Sequence, residues 1–198
     1  MEIKLVNLEK KFRSGFNILI DNYIFTNKIY FLTGDNGSGK STLLRLLAGV
    51  DSDYSGEISK VSQVLYLSSS NISFPYLTIL ENIEVFHNIY GIEIDKNKVE
   101  VFYDIEQLER LSKDASLGMN IKTALTLSFK KSFWDLIILD ETISALDDKS
   151  RGLLMKELDA RTKEGTVVII TTHDEICSED DNYKILKISG GRLRWEKM

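Results

Sequence analysis

The sequence predicts an α/β fold: a mainly parallel sheet, an antiparallel β portion toward the N-terminus, and an inserted set of helices. Three observations predict it. Two uninterrupted apolar runs, LIILD (136–140) and VVIIT (167–171), have the character of strands buried on both faces, as in a parallel sheet. A glycine-rich loop joins the run KIYFLT to the leucine-spaced KSTLLRLLAG, strand to helix. Between about residues 72 and 131 the pattern is helical.

From the N-terminus, EIKLVNL (2–8) alternates apolar and polar residues like a half-exposed strand. FNILIDNYIF (16–25) and KIYFLTG (28–34) read as further strands, the second running into the glycine loop. KSTLLRLLAG (40–49) is a helix closing on Gly49. GEISK (56–60) and SQVLYLSS (62–69) are strand candidates. LTILENIEVFHNIYG (77–91) is an amphipathic helix, with Thr78 as N-cap and Glu81 completing a capping box. DKNKVEVFYDIEQLERLSK (95–113) and SLGMNIKTALTLSFKK (116–131) are expected as two more helices. WDLIILDE (134–141) is a strand, DKSRGLLMKELDARTKEG (148–165) a helix ending at Gly165, and TVVIITTHD (166–174) a second buried strand. YKILKISGGRLRW (183–195) is a hairpin turning at Gly190–Gly191. The central strands should be parallel and joined by crossover helices.

Composition narrows the function. A net charge of −5 argues against a nucleic-acid surface, which would be basic. No apolar stretch approaches the roughly 20 residues of a membrane span, and the first residues lack the apolar block of a signal peptide. The single cysteine, Cys177, precludes an internal disulfide, fits a reducing compartment and reads as structural. His87 has no metal-ligand spacing around it and also reads as structural.

Gly34-Asp35-Asn36-Gly37-Ser38-Gly39-Lys40-Ser41 fits the phosphate-binding pattern G-x-x-x-x-G-K-[ST] completely, between a strand and a helix. The physical reason is direct. Glycines let successive amides converge on phosphate oxygens, and the partial positive charge of a helix N-terminus adds to the attraction. Lys40 is expected to reach the β- and γ-phosphates, Ser41 to hold Mg²⁺ through its hydroxyl, and Thr42 to touch the α-phosphate. LIILDE then places Asp140 and Glu141 at the C-terminal end of a buried strand, where ligands bind in open α/β sheets. Asp140 suits a hydrated Mg²⁺, and Glu141 is placed to polarise an attacking water. His173, after the parallel run VVIITT, is the candidate to sense the γ-phosphate and hold that water.

In this order the motifs resemble those of the nucleotide-binding subunits of ABC transporters, a branch of the P-loop NTPases. The resemblance covers nearly the whole chain: GDNGSGKSTLLRLLAGVDSDYSGEI, YLTILENIEVFHNIYG, the Walker B run LIILDE, the D-loop SALD (Ser144 to Asp147), the H-loop TTHD and the closing KILKISGGRLRW. It implies one ATP-binding domain over residues 1–198, with a core of about 1–71 and 132–198 and a helical subdomain at about 72–131. It places Phe12, in EKKFRSG, where an aromatic ring stacks on adenine. It implies ATP shared across a homodimer or heterodimer, hydrolysis that reopens the dimer, and a separate transmembrane permease driven by that cycle. The location implied is the cytoplasm, peripheral to the inner membrane face.

The sequence departs from the family at four places, one of them Asn120-Ile121-Lys122 where a polar stretch usually follows the signature. The signature L-S-G-G-Q is represented by ASLGM, with Ser116 and Gly118 in the serine and second-glycine positions and Leu117 and Met119 in place of glycine and glutamine; a register shifted by one residue would move the serine's role to the neighbourhood of Leu117. The glutamine expected after the strand near residue 66 is Ser69, a shorter reach to Mg²⁺, with Asn71 two residues on. The residue after Glu141 is Thr142 rather than proline. The SLGM form is similar to that of peptide-antibiotic exporters and favours an exporter. The altered signature and Ser69 favour reduced turnover, with a weakly hydrolysing regulatory subunit or a non-transport ABC ATPase as alternatives.

Overall fold

Alternation writes the N-terminal strands. Ile3 and Leu5 of β1 (Glu2–Lys11) and Ile18 and Ile20 of β2 (Asn17–Thr26) are buried, while intervening residues stay wetter. The computed structural model describes residues 1–69, 73–172 and 181–195. Beyond β2 come β3 (Ile29–Thr33), β4 (Ser55–Ile58), β5 (Val64–Ser68), β6 (Leu136–Asp140), β7 (Val167–Thr171), β8 (Tyr183–Ser189) and β9 (Arg192–Trp195). Among the described residues these strands join in the order β4-β1-β2-β9-β8-β3-β7-β6-β5. The β5-β6, β6-β7, β7-β3 and β3-β8 pairs are parallel. β1 pairs antiparallel with β2 and β4, and β8 with β9 in the expected hairpin. The fold is therefore α/β, with a mainly parallel centre and an antiparallel N-terminal portion.

The helices are α1 (Lys40–Leu47), α2 (Ile79–Tyr90), α3 (Lys96–Phe102), α4 (Ile105–Leu108), α5 (Leu117–Leu125) and α6 (Asp148–Lys163). α2 to α5 all fall between β5 and β6, as the sequence predicts. The two apolar runs are two-sided. Leu136 and Ile138 of β6 pack with α1 and the antiparallel strands, whereas Ile137 and Leu139 pack with the inserted helices. Val167 and Ile169 of β7 follow the first pair, and Val168 and Ile170 the second. An uninterrupted apolar strand thus serves two cores at once.

Two of the expected helices differ from the sequence reading. The helix expected over 95–113 breaks after Phe102. Tyr103 adopts an extended conformation (φ −134°, ψ 142°), is almost fully buried, and donates its hydroxyl to Met119 O. Burying that ring outweighs continuing the helix, and Asp104 starts α4 with a capping box to Gln107. The helix expected over 116–131 ends at Leu125 and tightens into a 3₁₀ turn over Thr126–Phe129. There Thr126 and Ser128 hydroxyls donate to Thr123 O and Leu125 O, and Trp134 Nε1 takes Leu127 O. The capping box of α2 forms as expected: Glu81 N donates to Thr78 Oγ1, and Thr78 N donates to Glu81 Oε2 at 2.7 Å.

Candidate functional site

The loop between β3 and α1 is shaped by its glycines at two places. At Gly34 (φ 142°) a Cβ would stand 2.2 Å from Ile188 O of β8. Gly39 (φ 107°) is the N-cap of α1 in the left-handed region, and a Cβ there would press on Ile18 at 3.0 Å. The backbone therefore lies flat on the sheet, and α1 begins at once behind it with its first amides facing the loop. Lys40 is buried; its Nζ donates to Gly34 O at 2.6 Å and Asp35 O at 3.1 Å, so its charge sits under the loop. Ser38 Oγ is buried with no hydrogen-bond partner among the described residues.

A cleft of about 240 Å³ opens over this loop, lined by Phe12, Phe16, Asn36, Gly37, Gly39, Lys40, Ser41, Thr42 and Glu141. It brings together Phe12, part of the glycine loop, the start of α1 and Glu141. Gly34, Asp35 and Ser38 belong to the same loop but do not line this cleft. Phe16, which sequence reading missed, packs on Phe12 with ring centroids 5.7 Å apart, across a turn closed by Phe12 N donating to Phe16 O. The signal was the F-x-x-x-F spacing around Gly15. Lys10 Nζ lies 5.6 Å from the Phe12 ring centroid and donates to Asp51 Oδ1. Hydrogen bonding to Asp51 raises the Lys10 ammonium above its ordinary pKa, and the same bond lowers the Asp51 carboxyl.

Asp140 ends β6 and is buried. Thr171 donates its hydroxyl to Asp140 Oδ1 at 2.9 Å, and Tyr66 donates to Oδ2 at 3.3 Å. Burial, followed by the Asp140 charge, pushes the Tyr66 phenol up to about 12. Strand parity explains the grouping: Tyr66 is level with Ile138, and β6 and β7 run in register at Leu139 and Ile170, so Tyr66, Asp140 and Thr171 face α1 together. Glu141 follows with φ 58°, a strained conformation for a residue with a side chain, and its amide donates to Thr171 Oγ1 at 2.7 Å.

The remaining candidates lie beside this cleft. Ser69 lines a second cleft of about 200 Å³ with Leu117, Ile121, Glu141, Ser144, Ala145, Thr171 and Thr172. Glu141 therefore borders both. Ser116 caps α5, accepting from Met119 N at 3.2 Å, and Asp147 caps α6, accepting from Ser150 N at 2.8 Å. Ser144 donates to Glu141 O. Gly118 packs on Ala145, so the start of α5 touches the SALD turn. His87 is buried against Thr126 Oγ1, and burial lowers its pKa. His173, Asn71 and Cys177 lie outside the described residues.

The donor set fits a magnesium-bound polyphosphate. Ser41 and Asp140 offer hard oxygen ligands, and Ser38 holds a buried hydroxyl with no partner among the described residues.

Comparison with known proteins agrees with this geometry. The family model described as ABC transporter matches residues 20–144. The chain is 29% identical to the capsule polysaccharide export ATP-binding protein CtrD of Neisseria meningitidis serogroup B, over 99% of this chain and 94% of the relative. It is 30% identical to the aliphatic sulfonates import ATP-binding protein SsuB of Bacillus subtilis, over 82% of this chain and 69% of that one. Against larger relatives it spans as little as 13% of their length. A solved structure titled as the ATP binding subunit of an ABC transporter superposes with a TM-score of 0.79 at 19% identity, covering 98% of this chain and 88% of that one, a likeness of fold. The match over residues 20–144 and the two relatives place the chain in the ABC transporter family, whose ATP-binding domain it carries.

Proposed function

We propose that the chain binds ATP with magnesium in the phosphate-loop cleft and hydrolyses it, that two such chains, alike or different, close on the nucleotide, and that this cycle drives a separate membrane permease. The observation that carries the reading is the single cleft lined by Phe12, Lys40, Ser41, Thr42 and Glu141.

The chain's own groups divide the work. Phe12 and Phe16 give the base an aromatic wall. The amides of residues 36–42 and the Lys40 ammonium bind the phosphates. Ser41 and Asp140 would hold the magnesium ion, which when bound neutralises developing phosphate charge. Glu141, at the mouth of the cleft, polarises the attacking water. Residues of about 72–131 act as the helical subdomain, presenting Ser116 and Gly118 at the start of α5 toward a partner chain's nucleotide, with Ser144 and Asp147 beside them.

An exporter is favoured by the SLGM form of the signature and by the name of the Neisseria relative; the Bacillus relative is named for import. The placement is cytoplasmic, held at the inner membrane face by the permease: no helix among the described residues is long and apolar enough to cross a membrane. Ser69 and Met119 in place of two glutamines, with Leu117 in the first-glycine position, predict slow turnover. Steady-state phosphate release by the purified chain tests the reading. Magnesium-dependent hydrolysis abolished by Glu141→Gln supports it; equal, negligible release from both proteins would instead mark a subunit that binds without turnover.

A further inference from the structure

We propose that Thr171 is a positioning residue for hydrolysis: one hydroxyl sets both the Asp140 carboxylate and the backbone amide of Glu141. This role rests on the reading of the cleft as a magnesium–ATP site.

The geometry is specific. A threonine hydroxyl has one hydrogen to give and lone pairs to accept with. Thr171 gives its hydrogen to Asp140 Oδ1 at 2.9 Å and accepts from Glu141 N at 2.7 Å. Both bonds run from the end of β7 to the end of β6; the one to Asp140 lies in the interior, with Thr171 1% and Asp140 5% exposed, and the one from Glu141 N is part-buried. The donated hydrogen fixes the rotation of the carboxylate, and Tyr66 restrains its other oxygen. The accepted one anchors the peptide entering Glu141 at φ 58°, where an L-residue is held only if its surroundings insist on it. Without the hydroxyl the Glu141 amide loses this bond, the carboxylate turns more freely, and Glu141 relaxes away from the cleft. Asp140 and Glu141 are adjacent in sequence but have different tasks, and Thr171 is the one side chain bonded to both among the described hydrogen bonds.

The test uses two variants. Thr171→Val keeps the shape and removes both bonds; Thr171→Ser keeps the hydroxyl. A fluorescent ATP analogue is titrated with magnesium chloride into each protein, and separately bound in the presence of chelator. Loss of a buried bond to a charged group beside a metal ligand should raise the half-saturating magnesium concentration of Thr171→Val about tenfold. Affinity in chelator should stay within about twofold, and kcat should fall about tenfold or more with the KM for ATP at saturating magnesium nearly unchanged. Thr171→Ser should restore both values. Wild-type magnesium dependence and kcat in Thr171→Val would overturn the proposal, as would equal impairment of the valine and serine variants. If Thr171→Val fails to fold, Thr171→Ala takes its place with the same expectations. A wild-type chain that binds no nucleotide would overturn the site reading and this role with it; nucleotide binding with an unaltered valine variant overturns only this role.

Discussion

Gly118, two residues into the α5 N-terminus, lies against Ala145 of the SALD turn: a Cβ at residue 118 would stand 2.4 Å from Ala145 O. Gly118 is thus required inside its own chain. Gly118→Ala should force α5 and the 143–145 turn apart and destabilise the protein by about 1–3 kcal/mol. Denaturant unfolding measures it. Because Ser144 donates to Glu141 O, ATP turnover should fall as well.

Phe12 and Phe16 form one aromatic wall, and their substitution should affect the base and spare the phosphates. Phe12→Ala and Phe16→Ala are each expected to weaken ATP binding by about 1 kcal/mol, with the double variant departing from additivity because the rings touch. Calorimetry with ATP and with inorganic triphosphate separates the two contributions: triphosphate affinity should hardly move.

The Lys10–Asp51 pair joins the end of β1 to the segment after α1, and places an ammonium beside the Phe12 ring. Lys10 has a raised folded pKa, so its contribution is fully present below the unfolded lysine value and is lost as pH rises through the raised one. Asp51 has a lowered folded pKa, so its contribution is present above the unfolded aspartate value and is lost as pH falls through the lowered one. The stability difference between wild type and Lys10→Met should therefore be widest between about pH 4 and 10 and shrink on either side. Denaturant midpoints across that range measure it, and Lys10→Met should also weaken ATP binding at neutral pH.

The capping box of α2 is local and predicts a local cost. Thr78→Ala removes the acceptor for Glu81 N and should cost about 1 kcal/mol, with Thr78→Ser close to wild type. Thermal unfolding by circular dichroism reads the difference, and nucleotide affinity should stay unchanged.

Much of this architecture is legible in the sequence because its signals are local. The alternation of β1, the two apolar runs, the capping box at Thr78 and the strand–loop–helix setting of residues 29–47 each need only a short window. The helices after residue 95 are harder, because their ends are set by partners far along the chain: Tyr103 leaves the helix for Met119 O, and Leu127 O is claimed by Trp134. The cleft shows the same division. Lys40, Ser41, Asp140 and Glu141 stand in patterns that carry their own chemistry. Tyr66, Thr171 and Phe16 do not; only the register of β5, β6 and β7, or the turn closing on Phe16, brings them to the site.

The measurement that bears most directly on the site is equilibrium binding of ATP to the purified chain, with and without magnesium, beside Lys40→Ala. The loop geometry predicts saturable, magnesium-enhanced uptake of one ATP per chain, weakened about tenfold or more by removing the buried ammonium. Absence of uptake by the wild-type chain, or equal affinity in Lys40→Ala, would contradict it.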